Sequence, residues 1–206
     1  MLLESSFAFI AILNPFALCL YVGQIIDDVG LRAFSMVLLR ACMLSMMVFL
    51  LFGYTGEFVL SNILQIQPEA MRVFGGIIFL IAGYNYVMKG YRAAVMLRGS
   101  LEELPSAIAL PYMIGAGTIT QAILVGKHNP HWATGAILVG GVIFSFVVMM
   151  SFGLIRETMK GPRERVFERY VNTLARLNGL VIGALSVQMI VRGLHGLWLL
   201  SETPAG

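Results

Sequence analysis

Six apolar stretches, each long enough to cross a bilayer, occupy most of this chain. They run over about 5–26, 34–55, 70–88, 106–126, 133–155 and 177–200. A membrane-spanning helix needs about 20 predominantly apolar residues, and backbone polar groups inside hydrocarbon must be satisfied within the protein. The expected fold is therefore an all-α membrane protein of six transmembrane helices. The connections at 27–33, 56–69, 89–105, 127–132 and 156–176 are short, so a single integral membrane domain is expected over 1–206. Composition agrees: 12% of the residues are charged, against about 25% in ordinary soluble domains.

Several function classes are disfavoured. The basic residues are scattered among membrane loops, so nucleic acid is not an expected partner; the lipid bilayer is. Cys19 and Cys42 lie in apolar stretches and read as small buried hydrophobes. The only early charge is Glu4, and the first stretch is long for a signal peptide, so it reads as a retained span. No HExxH, Walker loop, nucleophile–base pair or mid-span carboxylate is present. No enzyme activity, cofactor or metal is expected.

Charge also orients the chain. Arg32, Arg40, Lys89, Arg92, Arg98, Arg156, Lys160, Arg163, Arg165, Arg169 and Arg176 flank one side, and Arg72, Lys127 and Arg192 the other. The positive-inside rule puts the richer side in the cytoplasm. The expected location is the inner (plasma) membrane with both termini facing outward.

Two spans are interrupted at mid-depth. In the first, Asn14-Pro15 removes a backbone donor and frees carbonyls. In the fourth, Pro111 precedes Gly115-Ala116-Gly117-Thr118-Ile119-Thr120. A half-helix starting there points free N–H groups and a positive dipole end at the midplane, which suits a carboxylate. Paired breaks in two half-chains point to a transporter's binding site. The candidate substrate-binding residues are Asn14, Pro15, Gly115, Ala116, Gly117, Thr118 and Thr120, with Gln188 deep in span six. The competing readings are a patched kink at Pro15, tight packing at the glycines, and interhelical hydrogen bonding by Gln188. Arg40, Arg72 and Arg176 read as interfacial anchors, with a substrate carboxylate as the alternative for Arg40. Gly179/Gly183 and Ala136/Gly140 read as packing motifs.

The breaks also sit at matching places. Pro15 and Ala116 are about 101 apart; Arg72 and Arg176, each opening a glycine-containing span, are 104 apart. A three-span unit repeated once is inverted in the membrane because three is odd. Repeat one covers about 1–90 and repeat two about 105–206, a 3+3 inverted repeat with broken helices in spans one and four.

These motifs resemble the MarC family of inner-membrane proteins. The matching residues are Leu13-Asn14-Pro15, Arg72 to Gly76, Pro111 through Gly115-Ala116-Gly117-Thr118-Ile119, and Arg176, Gly179, Val187, Gln188 and Gly193. Ala116 stands where the family has proline, Ala107 replaces an earlier proline, and Ala17 stands near a family glycine. The resemblance implies six spans in an inverted repeat and transport of small neutral amino acids such as glycine and alanine.

The functional expectation is a secondary transporter moving a small neutral amino acid or similar metabolite by alternating access. A proton or sodium ion is a candidate coupling partner, and glycine-rich faces are compatible with a homo-oligomer. The alternatives are a flippase for a lipid-linked group, with Arg40 or Arg72 holding a phosphate, and a non-transporting membrane scaffold.

Overall fold

The computed structural model describes residues 2–63, 65–90, 109, 113–159 and 164–202. The described residues are helical with no strand: α1 (Leu2–Leu13), α2 (Pro15–Phe58), a π-helical turn (Val59–Ile63), α3 (Pro68–Lys89), α4 (Ala116–His128), α5 (His131–Thr158) and α6 (Glu164–Glu202). Among the described residues, five segments are long and apolar enough to cross a membrane: Leu2–Leu20, Val29–Gly56, Pro68–Lys89, His131–Thr158 and Arg169–Leu199. At 13 residues α4 is too short to span alone, and most of the chain expected to precede it in span four, Pro111 and Ala107 included, lies outside the described residues.

The expected 27–33 connection contains a backbone break: α2 (Pro15–Phe58) consists of two helical stretches that meet at Gly30, whose own backbone is not helical (φ 77°, ψ 160°). That backbone conformation is essentially restricted to glycine. The expected 156–176 connection is mostly helix, because α6 begins at Glu164. Hydropathy marks where a helix can meet lipid, not where it starts. Between Glu164 and Arg176 the charges interrupt the apolar run, while Val171 and Ala175, one turn apart, are buried on one helix face.

Two apolar cores result. The larger joins α1, α2, α4 and α5 through Phe9, Leu13, Leu38, Phe49, Met113, Leu138 and Met149. Phe9 and Phe49 meet edge to face with centroids 5.3 Å apart. The smaller joins the start of α2 to α3 and α6 through Leu20, Tyr86, Val171, Ala175 and Ile182. Helices α3 and α6 are antiparallel, and their backbones touch: a Cβ on Gly83 would lie 2.9 Å from both the Gly179 carbonyl and the Gly183 nitrogen. Without a hydrophobic drive between helices in lipid, small residues supply this close contact. Gly179 packs here as its motif predicts. A Cβ on Gly140 would meet nothing within 4 Å and Ala136 is exposed, so among the described residues that motif has no packing partner.

Burial recurs along the chain. Residues 41–56 and 141–156 show the same order of buried, half-buried and exposed positions at an offset of 100, with Ser45/Ser145, Val48/Val148, Phe52/Phe152 and Gly53/Gly153 identical. In α3 and α6 the buried pairs Gly76/Gly179, Gly83/Ser186, Tyr86/Met189 and Gly90/Gly193 align at an offset of 103. That is one residue away from the offset pairing Arg72 with Arg176.

Candidate functional site

Asn14 separates α1 from α2 in the left-handed region (φ 47°, ψ 69°). Asparagine tolerates this conformation better than most side chains. Its carbonyl oxygen accepts from the Ala17 N–H at 3.1 Å, capping α2, and its amide donates to Asn178 Oδ1 on α6 at 3.2 Å. The cap frees carbonyls at the end of α1. Ala11's donor would be the Pro15 nitrogen, which carries no hydrogen. Leu13's donor would be the Ala17 N–H, which Asn14 has taken. The negative end of the α1 dipole and its freed carbonyls thus converge beside Asn14.

The start of α4 has the opposite polarity. The first helical bond runs from the Ile119 N–H to the Gly115 carbonyl, so the N–H groups of Ala116, Gly117 and Thr118 precede any intrahelical acceptor. Thr118 closes the turn: its hydroxyl accepts from the Gly115 N–H at 2.8 Å and lies 2.8 Å from the Met113 carbonyl. Gly75 of α3 abuts this end, since a Cβ there would lie 2.6 Å from the Gly117 nitrogen.

Between these two ends lies a cavity of about 180 Å³. Its polar lining is Arg72 from α3, Thr120 and Gln121 from α4, and Gln188 and Arg192 from α6; Gly117 closes one wall and Ala11, Ile12 and Leu185 another. A second cavity of about 120 Å³ shares Ala11, Ile12 and Leu185 and reaches Asn14 and Tyr86. A third, open groove of about 330 Å³ holds Asn14, Pro15 and Asn178. Leu185 borders all three.

The structure therefore gathers Gly117, Thr120 and Gln188 around one space and places Asn14 and Pro15 at its neighbours. Gly115, Ala116 and Thr118 shape the turn and line none of these cavities. Arg72, expected as an anchor, faces the first cavity, and its charge acts on that of Arg192. Arg192, Gln121 and Asn178 were not singled out from sequence. Gln121 lies one position beyond a flagged threonine, the nearest thing to a signal among the three. Arg40 is exposed on α2, away from these spaces, and Arg176 donates to the Val87 carbonyl at 3.1 Å across the α3–α6 contact.

Long apolar helices, five of them long and apolar enough among the described residues to cross a bilayer, define a multi-pass integral membrane protein. The chain belongs to the MarC family of integral membrane proteins, whose sequence pattern matches residues 1–198. It is similar to the UPF0056 membrane protein PH0214 of Pyrococcus horikoshii, 24% identical over 96% of this chain and 95% of that protein. It is also similar to the UPF0056 membrane protein MJ0972 of Methanocaldococcus jannaschii, 29% identical over 77% of this chain and 71% of that one. The UPF0056 inner membrane protein YhgN of Escherichia coli is 25% identical over 79% and 80% of the two chains. No solved structure matches.

Proposed function

We propose that this chain is a secondary transporter of a small neutral amino acid or similar small metabolite in the inner membrane. The observation that carries the reading is the cavity between two helix ends of opposite polarity. At the α4 end, Gly117 and the positive end of the helix dipole suit a carboxylate. At the α1 end, the Ala11 carbonyl that Pro15 leaves without a donor suits an ammonium group. The space matches such a ligand: at about 30 Å³ per water, 180 Å³ holds a molecule of about six heavy atoms.

Alternating access follows if the chain is a 3+3 inverted repeat. The recurrence of burial at offsets of 100 and 103 supports that arrangement. The pairing of α3 with α6, and of α2 with α5, agrees with it. Rocking one half against the other would expose the cavity to each side in turn. Lys and Arg placement supports outward-facing termini.

A flippase is the second reading, and the open groove at Asn14, Pro15 and Asn178 favours it, because exposed Val181 borders that groove on the lipid-facing surface. The experiment that separates the two is uptake by Gly117→Leu in proteoliposomes. The added side chain meets Met189 and Phe79 and fills the cavity. Loss of glycine and alanine uptake from folded protein is expected; full uptake would remove the assignment.

A further inference from the structure

Arg72 and Arg192 both line the 180 Å³ cavity. Arg72 is half-buried and Arg192 exposed, and both fall inside segments apolar enough to span a membrane. Glu69 lies one turn before Arg72 on α3, and its side chain packs at Gly196 on α6. Among the described residues neither guanidinium has a carboxylate at ion-pair distance. Cationic groups within a span ordinarily pair or line a water-filled path. Here they line the cavity, and the remaining polar lining (Thr120, Gln121, Gln188) is uncharged. Among the described residues, two positive charges against the one carboxylate of Glu69 leave an excess of positive charge. A zwitterion brings no net negative charge to balance it.

We infer that the Arg72–Arg192 end of the cavity binds a compact oxyanion group of net negative charge, a carboxylate or phosphate. Guanidinium forks present paired N–H donors that match either group. Thr120 donates its hydroxyl to the Ala116 carbonyl at 2.7 Å, leaving its oxygen as an acceptor, so the donors for the anion are the guanidiniums and the amides of Gln121 and Gln188. The volume admits inorganic phosphate or a small organic acid. The site shares the cavity of the proposed carrier, and it rests on that reading only for the step in which the anion is carried.

The oxyanion has two sources, a free solute or a lipid headgroup, and one experiment separates them. The purified full chain is reconstituted in phosphatidylcholine nanodiscs, and its thermal unfolding is followed with added inorganic phosphate, acetate or glycine. A parallel arm replaces part of the lipid with phosphatidylglycerol and adds no anion. A rise in melting temperature with phosphate or acetate, exceeding that with glycine, identifies a solute anion. A rise with phosphatidylglycerol alone identifies a headgroup. In either case Arg72→Gln and Arg192→Gln should each weaken the response at least tenfold in ligand concentration, while Arg72→Lys and Arg192→Lys keep most of it. No response in either arm from the native chain, or a response that both glutamine variants retain in full, overturns the inference. Glycine uptake that persists in a chain without anion response overturns this site and leaves the carrier standing. An anion response without any uptake does the reverse.

Discussion

Asn14 does two jobs that one substitution would confound, since it caps α2 and borders the cavities. Asn14→Ala loses the cap and holds an unfavourable left-handed backbone, each costing about 1 kcal/mol. Asn14→Gly keeps the backbone at ease and costs only a few tenths for the cap. Chemical denaturation in mild detergent should therefore show Asn14→Ala clearly destabilised and Asn14→Gly close to native. If the amide serves the substrate, both lose uptake; uptake surviving in Asn14→Gly would confine Asn14 to capping. Gly30 offers the complementary case: a methyl there would meet no atom within 4 Å, yet the backbone is one that only glycine favours. Gly30→Ala should cost about 1–3 kcal/mol from backbone strain alone, read by the same denaturation. At this scale the sequence was informative where chemistry is local. Proline's missing hydrogen marks the Asn14 break in any fold. Arg192 was not legible, because which way an arginine near a span end points depends on the rotation of α6 against α3.

Among the elements, α3 and α6 form the most extensive contact. Gly76 lies so near that a Cβ would come within 2.9 Å of the Ser186 carbonyl. Gly76→Leu should force the two helices apart and cost about 1–3 kcal/mol or more, as overpacking does, whereas Gly140→Leu, with open space around it, should leave the stability of the isolated chain nearly unchanged. Comparable loss in both would mean that Gly140 packs against something outside this chain, a second copy being the first to test by cross-linking. Hydropathy located five of the expected spans, and the expected 27–33 connection contains the Gly30 break, but it missed the early start of α6, where the helix leaves the apolar pattern without leaving the helical backbone. The glycine-rich contact was legible at Gly179 because small residues four apart share a helix face. Its partner on α3 was not, since pairing requires the register between helices.

For the molecule as a whole, the sequence carried the class and the family, and it suggested a repeat from the helix breaks and the two arginines, but its bland apolar composition hid the recurrence of burial at an offset of 100. Only four identities fall among residues 41–56 and 141–156, and burial rather than residue type carries the correspondence. Helix α5, with 28 residues, is about 42 Å long at 1.5 Å per residue, more than the roughly 30 Å of hydrocarbon. It is therefore long enough for its ends to reach opposite sides of the membrane. With Cys19 and Cys42 replaced by serine, cysteines placed at His131 and Glu157 should label from opposite faces of intact cells, His131→Cys from outside. Labelling of His131→Cys only after permeabilisation would reverse the proposed orientation. The most direct test of the central claim is uptake of labelled glycine and alanine by proteoliposomes of the native chain, with and without an imposed proton or sodium gradient. The account predicts gradient-dependent accumulation that Gly117→Leu abolishes. No accumulation under any gradient, from protein shown to be folded, would contradict it.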